Sequence, residues 1–172
     1  ILVTDTVGLL TVFAMQVFQM NKPQIKRAVA VACSAYPIVG SELLRLRLNP
    51  ETRIPFNEVG LQAAKEIGDV AAEGSHLGNL GIAYAQLGQA RKAISFFKQR
   101  FVVAKKTESL SAECSALGNL ADAHSMLGEN EIARRYCEDE ISIRRKLGDR
   151  RGEGNTLCSL GLIYANLKKF EK

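Results

Sequence analysis

LGNLGIAYAQLG at residues 77–88 decides the fold, because much of this stretch returns as LGNLADAHSMLG at residues 117–128. A third copy, LCSLGLIYANLK, occupies residues 157–168. The copies begin at residues 77, 117 and 157, so they lie 40 residues apart with no insertion between them. A fixed period of this length is typical of proteins that stack one supersecondary unit repeatedly.

Each copy has the pattern of an amphipathic helix. Apolar or ring-bearing residues recur at steps of three, four and three, which places them on one stripe of a helix. Asp69, Ser109 and Asp149 precede the copies, and their side-chain oxygens suit the free amides at a helix start. The stripes comprise Leu77, Leu80, Tyr84 and Leu87; Leu117, Leu120, His124 and Leu127; and Leu157, Leu160, Tyr164 and Leu167.

A second helix is expected after each of the first two copies. Gly88 and Gly128 suit the left-handed residue that commonly follows a helix. Basic runs, KK and RRK, end the second helices beside the negative helix C-terminus. The sequence therefore predicts an all-α fold built from antiparallel helix pairs. The inner faces of the second helices comprise Ala93, Phe97, Phe101 and Ala104, matched by Ala133, Cys137 and Ile141.

The spacing L-x-x-L-G-x-x-Y, followed by A-x-x-x-F, resembles the tetratricopeptide repeat (TPR). This resemblance covers about residues 60–172 and implies a right-handed α-solenoid, the TPR-like superhelix. The period of 40 residues exceeds the usual 34. This long variant is similar to the repeats of Pins-type spindle-orientation adaptors, bacterial regulatory TPR arrays and kinesin light chains. The matching residues are Leu77, Leu80, Gly81, Tyr84, Ala93 and Phe97.

The array is expected to occupy residues 60–172, as the end of one repeat, two full repeats and the first helix of a third. Residues 1–59 fit the pattern less well and are expected to form a degenerate repeat or a helical cap. Helices are predicted there at residues 24–36, 41–48 and 56–67, separated by Pro37 and the turn-like LNPET. The apolar residues 1–20 are short for a membrane span, so a buried helix is expected and a membrane segment is the alternative.

In a solenoid, the first helices lie side by side and form a continuous concave wall. The positions that face away from the leucine stripe, at about 100° per residue, carry mostly small or amide side chains. An amide offers both a donor and an acceptor, which suits the backbone of a bound peptide. The candidate partner-binding residues are Ser75, Asn79, Ile82, Gln86, Ser115, Asn119, Asp122, Met126, Asn155, Ser159, Leu162 and Asn166.

The resemblance implies the same function, because related proteins bind peptide segments of partners along this groove. The alternative is that these amides are solvated and serve only solubility. Related repeats that clamp a terminal carboxylate carry Lys or Arg and Asn at the position of Ile82 and one turn earlier. This chain has Gly78, Gly118 and Cys158 one turn earlier, which argues against such a clamp.

Enzymatic functions find little support in the sequence. GEGN at residues 152–155 lacks a preceding strand and the last glycine of a nucleotide-binding fingerprint, and it suits a helix start better. His76 and His124 share no helix face with a cysteine or carboxylate at ligand spacing, so no metal or other cofactor is expected. Cys137 occupies a packing position, which argues against a Cys–His nucleophile. The sequence therefore predicts a non-catalytic protein.

The composition is that of an ordinary globular protein, with 47% hydrophobic and 24% charged residues and a net charge of +5. The basic runs lack interleaved aromatics and recur at helix ends, which argues against a nucleic-acid partner. The four cysteines, Cys33, Cys114, Cys137 and Cys158, show no paired spacing. Since three of them occupy apolar or small repeat positions, we expect reduced, buried thiols and a cytoplasmic location.

Two functions remain open. The chain is a scaffold or adaptor that holds a partner's peptide, or it is the sensor array of a larger signalling enzyme, such as an NTPase or protease. The absent initiator methionine and the end at KKFEK favour the second. That end also leaves the stripe of Leu160, Tyr164 and Leu167 without its second helix. Cover by further residues, or self-association of two copies, is therefore expected.

Overall fold

The computed structural model describes residues 49–170, and the helices and apolar stretch expected before residue 49 lie outside this range. No strand occurs between residues 49 and 170, so the predicted all-α fold class is confirmed. In the same range, no helix combines the length and the apolar character needed to cross a bilayer. The helices are α1 (Pro50–Ile67), α2 (Val70–Gln86), α3 (Ala90–Lys106), α4 (Leu110–Met126), α5 (Asn130–Leu147) and α6 (Arg150–Phe170).

These helices belong to two compact units, divided between Leu87 and Gly88. In the first unit α1 packs against α2. In the second unit α3 packs on α4, α4 on α5, and α5 on α6. Packing between helices that are neighbours in the chain is the arrangement of a TPR-like helical solenoid. The right-handed superhelix expected for the whole array stays a prediction.

Apart from Phe101, which is half-buried, the predicted inner faces of the second helices form the core of the second unit. Phe97 on α3 is 2% exposed, and burial of such a side chain contributes about 2 kcal/mol. On α5, Cys137 is 1% exposed and lies against residues of both α4 and α6. This face therefore holds the three last helices together. Its buried cluster comprises Ala121, Ala133, Cys137 and Ile163.

The helices follow one another through turns of two or three residues. After α1, Gly68 adopts a left-handed φ of 74°, and the Asp69 N–H donates to the Ala64 carbonyl at 2.9 Å. This is a Schellman closure of the helix. Asp69 also begins the next helix, because its carboxylate accepts from the Ala72 N–H at 2.9 Å. A turn this short returns the chain beside the helix it has left, so neighbouring helices within a unit run antiparallel.

The predicted caps and helix-ending glycines are confirmed. Gly88 and Gly128 both adopt a φ of 73°. The cap side chains of Asp69, Ser109 and Asp149 accept from the N–H groups of Ala72, Ala112 and Gly152 at 2.9, 3.3 and 2.9 Å. Each hydrogen bond satisfies one of the free amides at a helix start, so the same repeated position sets where α2, α4 and α6 begin.

One turn uses a residue other than glycine at its left-handed position. Glu108 has a φ of 52° and lies 40 residues after Gly68 and 40 before Gly148, whose φ values are 74° and 68°. A Cβ atom in this region crowds the following carbonyl at a cost of roughly 1–2 kcal/mol. The turn between α3 and α4 therefore has the same geometry as the equivalent turns, but the backbone of Glu108 is strained.

The start of α1 differs from the sequence prediction. The LNPET segment was expected to be a turn, with a helix only from residue 56, but α1 begins at Pro50. The Asn49 side chain accepts from the Thr52 N–H at 2.9 Å and caps the helix. Proline suits the first helical position because the amide it lacks would have had no partner there. The asparagine and proline were the signal for a helix start.

The third copy is more exposed than its repeat positions suggest. Leu157 and Tyr164 are 45% and 44% exposed, because α6 packs mainly on α5. Cys158, expected to be buried, is likewise exposed. Its repeat equivalent Gly118 contacts α5, whereas Cys158 lies on an open face of α6. The expectation that Leu160 and Leu167 lie uncovered with Tyr164 is wrong, because both pack against the buried cluster around Cys137. Association of two copies stays a prediction.

We predict that Glu108→Gly raises the free energy of unfolding by about 1 kcal/mol, because glycine adopts the left-handed conformation without Cβ strain. The reciprocal control, Gly148→Glu, should lower it by a similar amount. Urea unfolding followed by circular dichroism measures both. A glycine variant no more stable than the parent protein would show that the turn is unstrained.

Leu117 and Leu157 occupy the same repeat position but are 3% and 45% exposed, so they form a matched pair. Leu117→Ala should lower the free energy of unfolding by about 2–5 kcal/mol, because it leaves a cavity. Leu157→Ala should lower the free energy of unfolding by about 1 kcal/mol or less, because only about half of the leucine side chain is removed from water on folding. Equal losses in urea unfolding would contradict the exposure of α6.

Candidate functional site

A pocket in the second unit brings together five of the predicted partner-binding residues. Its cavity volume is about 290 Å³, and it is open to solvent. Because α4 and α6 both run antiparallel to α5, they point the same way and form two walls above it. The five residues are Ser115, Asn119 and Asp122 on α4, and Asn155 and Ser159 on α6.

The remaining predicted residues do not line this pocket. Met126 and Leu162 belong to the same two helices and are 54% and 70% exposed. On α2, in the first unit, the Ser75 hydroxyl donates to its own helix, and the Gln86 side chain accepts a hydrogen bond from Arg53. The sequence reasoning missed Arg53, which is buried at 8% exposure. The others are Asn79 and Ile82 on α2, both half-buried, and Asn166 on α6.

The walls of the pocket carry polar groups with unused hydrogen-bonding capacity. Within the described residues, the side chains of Asn119, Asn155 and Ser159 make no hydrogen bond. By contrast, the Ser115 hydroxyl donates to the Ser111 carbonyl at 3.1 Å. Each free amide can donate and accept at once, so the two walls can bond a peptide group lying between them.

The floor of the pocket comes from α5 and was not predicted. Cys137, Glu140 and Arg144 lie at steps of three and four residues, so they share the face of α5 that is turned toward α4 and α6. In the sequence, Arg144 belongs to the RRK run, which suggested only a favourable charge at a helix end. Comparison across the 40-residue period shows Gly60, Arg100 and Glu140 at one position, and this variation was the available signal.

An ion-pair network crosses the floor. Arg144 donates from Nε to Glu140 Oε1 at 2.7 Å, and its Nη2 lies 2.6 Å from the same oxygen. On its other side, Arg144 Nη1 donates to Asp149 Oδ2 at 2.5 Å. The Gly152 N–H, donating to this carboxylate, holds the pKa of Asp149 below its usual range, and Arg144 adds to the effect. Arg144 is thus shared between two carboxylates, one of them a helix cap.

Two glycines let this network fit between the helices. A Cβ atom at Gly118 would lie 3.1 Å from Glu140 Oε2, and one at Gly152 would overlap the Arg144 guanidinium. The absence of side chains at these positions therefore admits charged groups from α5 under α4 and α6. Any larger residue at Gly152 would displace Arg144 or the start of α6.

The pocket is locally anionic although the chain carries a net charge of +5. Its lining contains the carboxylates of Asp122 and Glu140 and the single guanidinium of Arg144, which Asp149 shares. Desolvation raises the pKa of Asp122, although the side chain keeps contact with solvent. A pocket with this balance attracts cations and hydrogen-bond donors and repels acidic groups.

The two thiols that line the pocket are poor nucleophiles. Cys114 and Cys137 are free and buried. Burial raises the pKa of Cys137 to about 11 and also raises that of Cys114. Both therefore stay protonated at neutral pH. Among residues 49–170, no group of three His, Cys, Asp or Glu side chains is placed to hold a metal ion. The other polar groups that line the pocket are hydrogen-bonding amides and hydroxyls together with charged side chains.

Comparison with known families agrees with this architecture. Models of the tetratricopeptide repeat match residues 77–99 and residues 114–148. No curated protein matches the chain in sequence. Repeats of this kind generally mediate protein–protein interactions and are typically non-catalytic. The second matched segment covers α4 from Cys114 onward and all of α5, which build one wall and the floor of the pocket. Residues 77–99 and 114–148 are therefore tetratricopeptide repeats.

Proposed function

We propose that the chain is a non-catalytic scaffold that binds an extended peptide segment of a protein partner between α4 and α6. The observation that carries this proposal is the pair of walls with free amides, Asn119 on one helix and Asn155 on the other. A peptide has donors and acceptors along its whole backbone, so it can satisfy side chains of both walls. The partner-binding role of repeats in this family supports the same proposal.

The predicted residues outside the pocket extend this surface. Met126 and Leu162 are largely exposed apolar side chains on the same helices as the pocket walls. Exposed apolar groups beside polar ones are typical of surfaces that bind partners. We propose that they contact apolar side chains of the peptide, while Asn166 and the α2 residues Ser75, Asn79, Ile82 and Gln86 remain candidate contacts. The buried free thiols agree with a reducing compartment, and we propose the cytoplasm.

Selection from a phage-displayed library of random peptides supplies a ligand, and calorimetry tests the site. The double variant Asn119→Ala and Asn155→Ala should weaken binding of the selected peptide by about 1–3 kcal/mol, because two side-chain hydrogen bonds are lost. Its melting temperature should change little, because neither side chain bonds to the rest of the described chain.

Gln99→Ala is the matched control, since Gln99 is an exposed amide on α3 outside the pocket. It should bind the selected peptide as the parent protein does. Equal affinity of the double variant would reject the proposed contacts. Failure to select any peptide above background would reject peptide binding itself.

A further inference from the structure

The Glu140 carboxylate is the most deeply buried charged group of the pocket. The residue is 4% exposed, yet its side chain lines the cavity. Both contacts of Arg144 with Glu140 are made to one carboxylate oxygen, Oε1. The other oxygen, Oε2, accepts no hydrogen bond from any residue between 49 and 170, and it lies against the bare backbone of Gly118. This oxygen therefore has no protein partner among the described residues and faces the open pocket.

Such a group favours a ligand that donates hydrogen bonds. A buried carboxylate is costly unless its oxygens are paired and hydrogen-bonded, and an unmade bond to a charged group costs more than one to a neutral group. Arg144 supplies only part of the compensation, because Asp149 holds its other side at 2.5 Å. A cationic N–H donor that reached Oε2 would complete the network.

The charged side chains that face the pocket determine which ligand charge it favours. From α4 comes Asp122, from α5 come Glu140 and Arg144, and α6 contributes only the uncharged Asn155, Thr156 and Ser159. Two carboxylates thus face one guanidinium that is already shared. A cavity of about 290 Å³ lies just below the range of small-molecule sites, so it has room for one long side chain.

We propose that this pocket binds a lysine or arginine side chain of the partner peptide, with the cationic nitrogen donating to Glu140 Oε2 beside Asp122. This inference rests on the proposed peptide-binding function and names the chemistry that the pocket selects. The pocket belongs to one place in the array, because the positions equivalent to Glu140 in the preceding copies carry Gly60 and Arg100. It therefore fixes one cationic residue in the peptide rather than a basic tract.

Small probes test the pocket without any selected peptide. The parent protein is titrated with the methylamides of Nα-acetyl-lysine, Nα-acetyl-arginine and Nα-acetyl-norleucine, and ¹H–¹⁵N spectra are recorded. Saturable shifts of the amide signals of Gly118, Asn119 and Ser159 are expected with the two cations and not with norleucine. The relative affinities of the lysine and arginine probes decide which side chain fits. Shifts that are equal for norleucine, or absent for both cations, would overturn the proposal.

Two variants with matched controls assign the binding to Glu140. Glu140→Gln removes the negative charge. It should lower the affinity for the cationic probes by about 10- to 100-fold, which is the effect expected when a hydrogen bond to a charged group is lost. Gly118→Ala should lower this affinity by a similar factor, because the added methyl group covers Glu140 Oε2. The fold should be retained, because alanine favours the helix more than glycine does. The controls are Asp139→Asn, an exposed carboxylate on α5, and Gly161→Ala, whose methyl group meets open space.

Both controls should bind the cationic probes like the parent protein, and loss of binding in either would overturn the assignment. The peptide selection then separates the two proposals. Selected peptides with one fixed lysine or arginine support the cation pocket. Peptides that bind without a fixed cation leave peptide binding intact and overturn this inference. Cation probes that bind while no peptide can be selected support the pocket and reject the peptide-binding function.

Discussion

The short turn that closes one helix and caps the next is the constraint on which the rest of the structure depends. At Gly68 and Asp69, a left-handed residue ends α1 and a side-chain acceptor begins α2, with no residue between them. The same pair recurs at Gly148 and Asp149. Because each turn leaves so few free dihedral angles, neighbouring helices within a unit must run antiparallel and keep one phase. Glu108 accepts a strained conformation at this position, which shows that the turn geometry prevails over residue preference.

Because successive repeats have the same helix geometry, residues at equivalent repeat positions lie close together in space. In the second unit, Ser115 and Asn119 on α4 lie 40 residues before Asn155 and Ser159 on α6, and the four side chains line the two walls of one pocket. The walls are therefore repeated, whereas the floor is particular to one copy. Glu140 stands where the preceding copy has Arg100, so a change at a single second-helix position sets the charge of a pocket. In the binding mode that we propose, chemical selectivity depends on such non-repeating residues.

The sequence was sufficient to predict the helix pairs, their caps and the buried inner faces, because these follow from local propensity and periodicity. It also predicted that Ser115, Asn119 and Asn155 share one surface, and these three residues line the same pocket. The Glu140–Arg144–Asp149 network could not be predicted, because it depends on how far side chains of α5 reach under two other helices. Gly118 and Gly152 make that reach possible, and only a packed structure shows what a glycine admits. The exposure of Cys158 has a similar origin, since a repeat position is buried only where a neighbouring helix covers it.

Recognition between α4 and α6 is tested most directly by a crystal structure of the chain with a selected peptide. The predicted result is a lysine or arginine side chain in the pocket, its cationic nitrogen within hydrogen-bond distance of Glu140 Oε2. Peptide backbone groups should at the same time bond to Asn119 and Asn155. A peptide bound on another surface, or one that leaves Glu140 Oε2 in contact with water alone, would contradict this mode of binding.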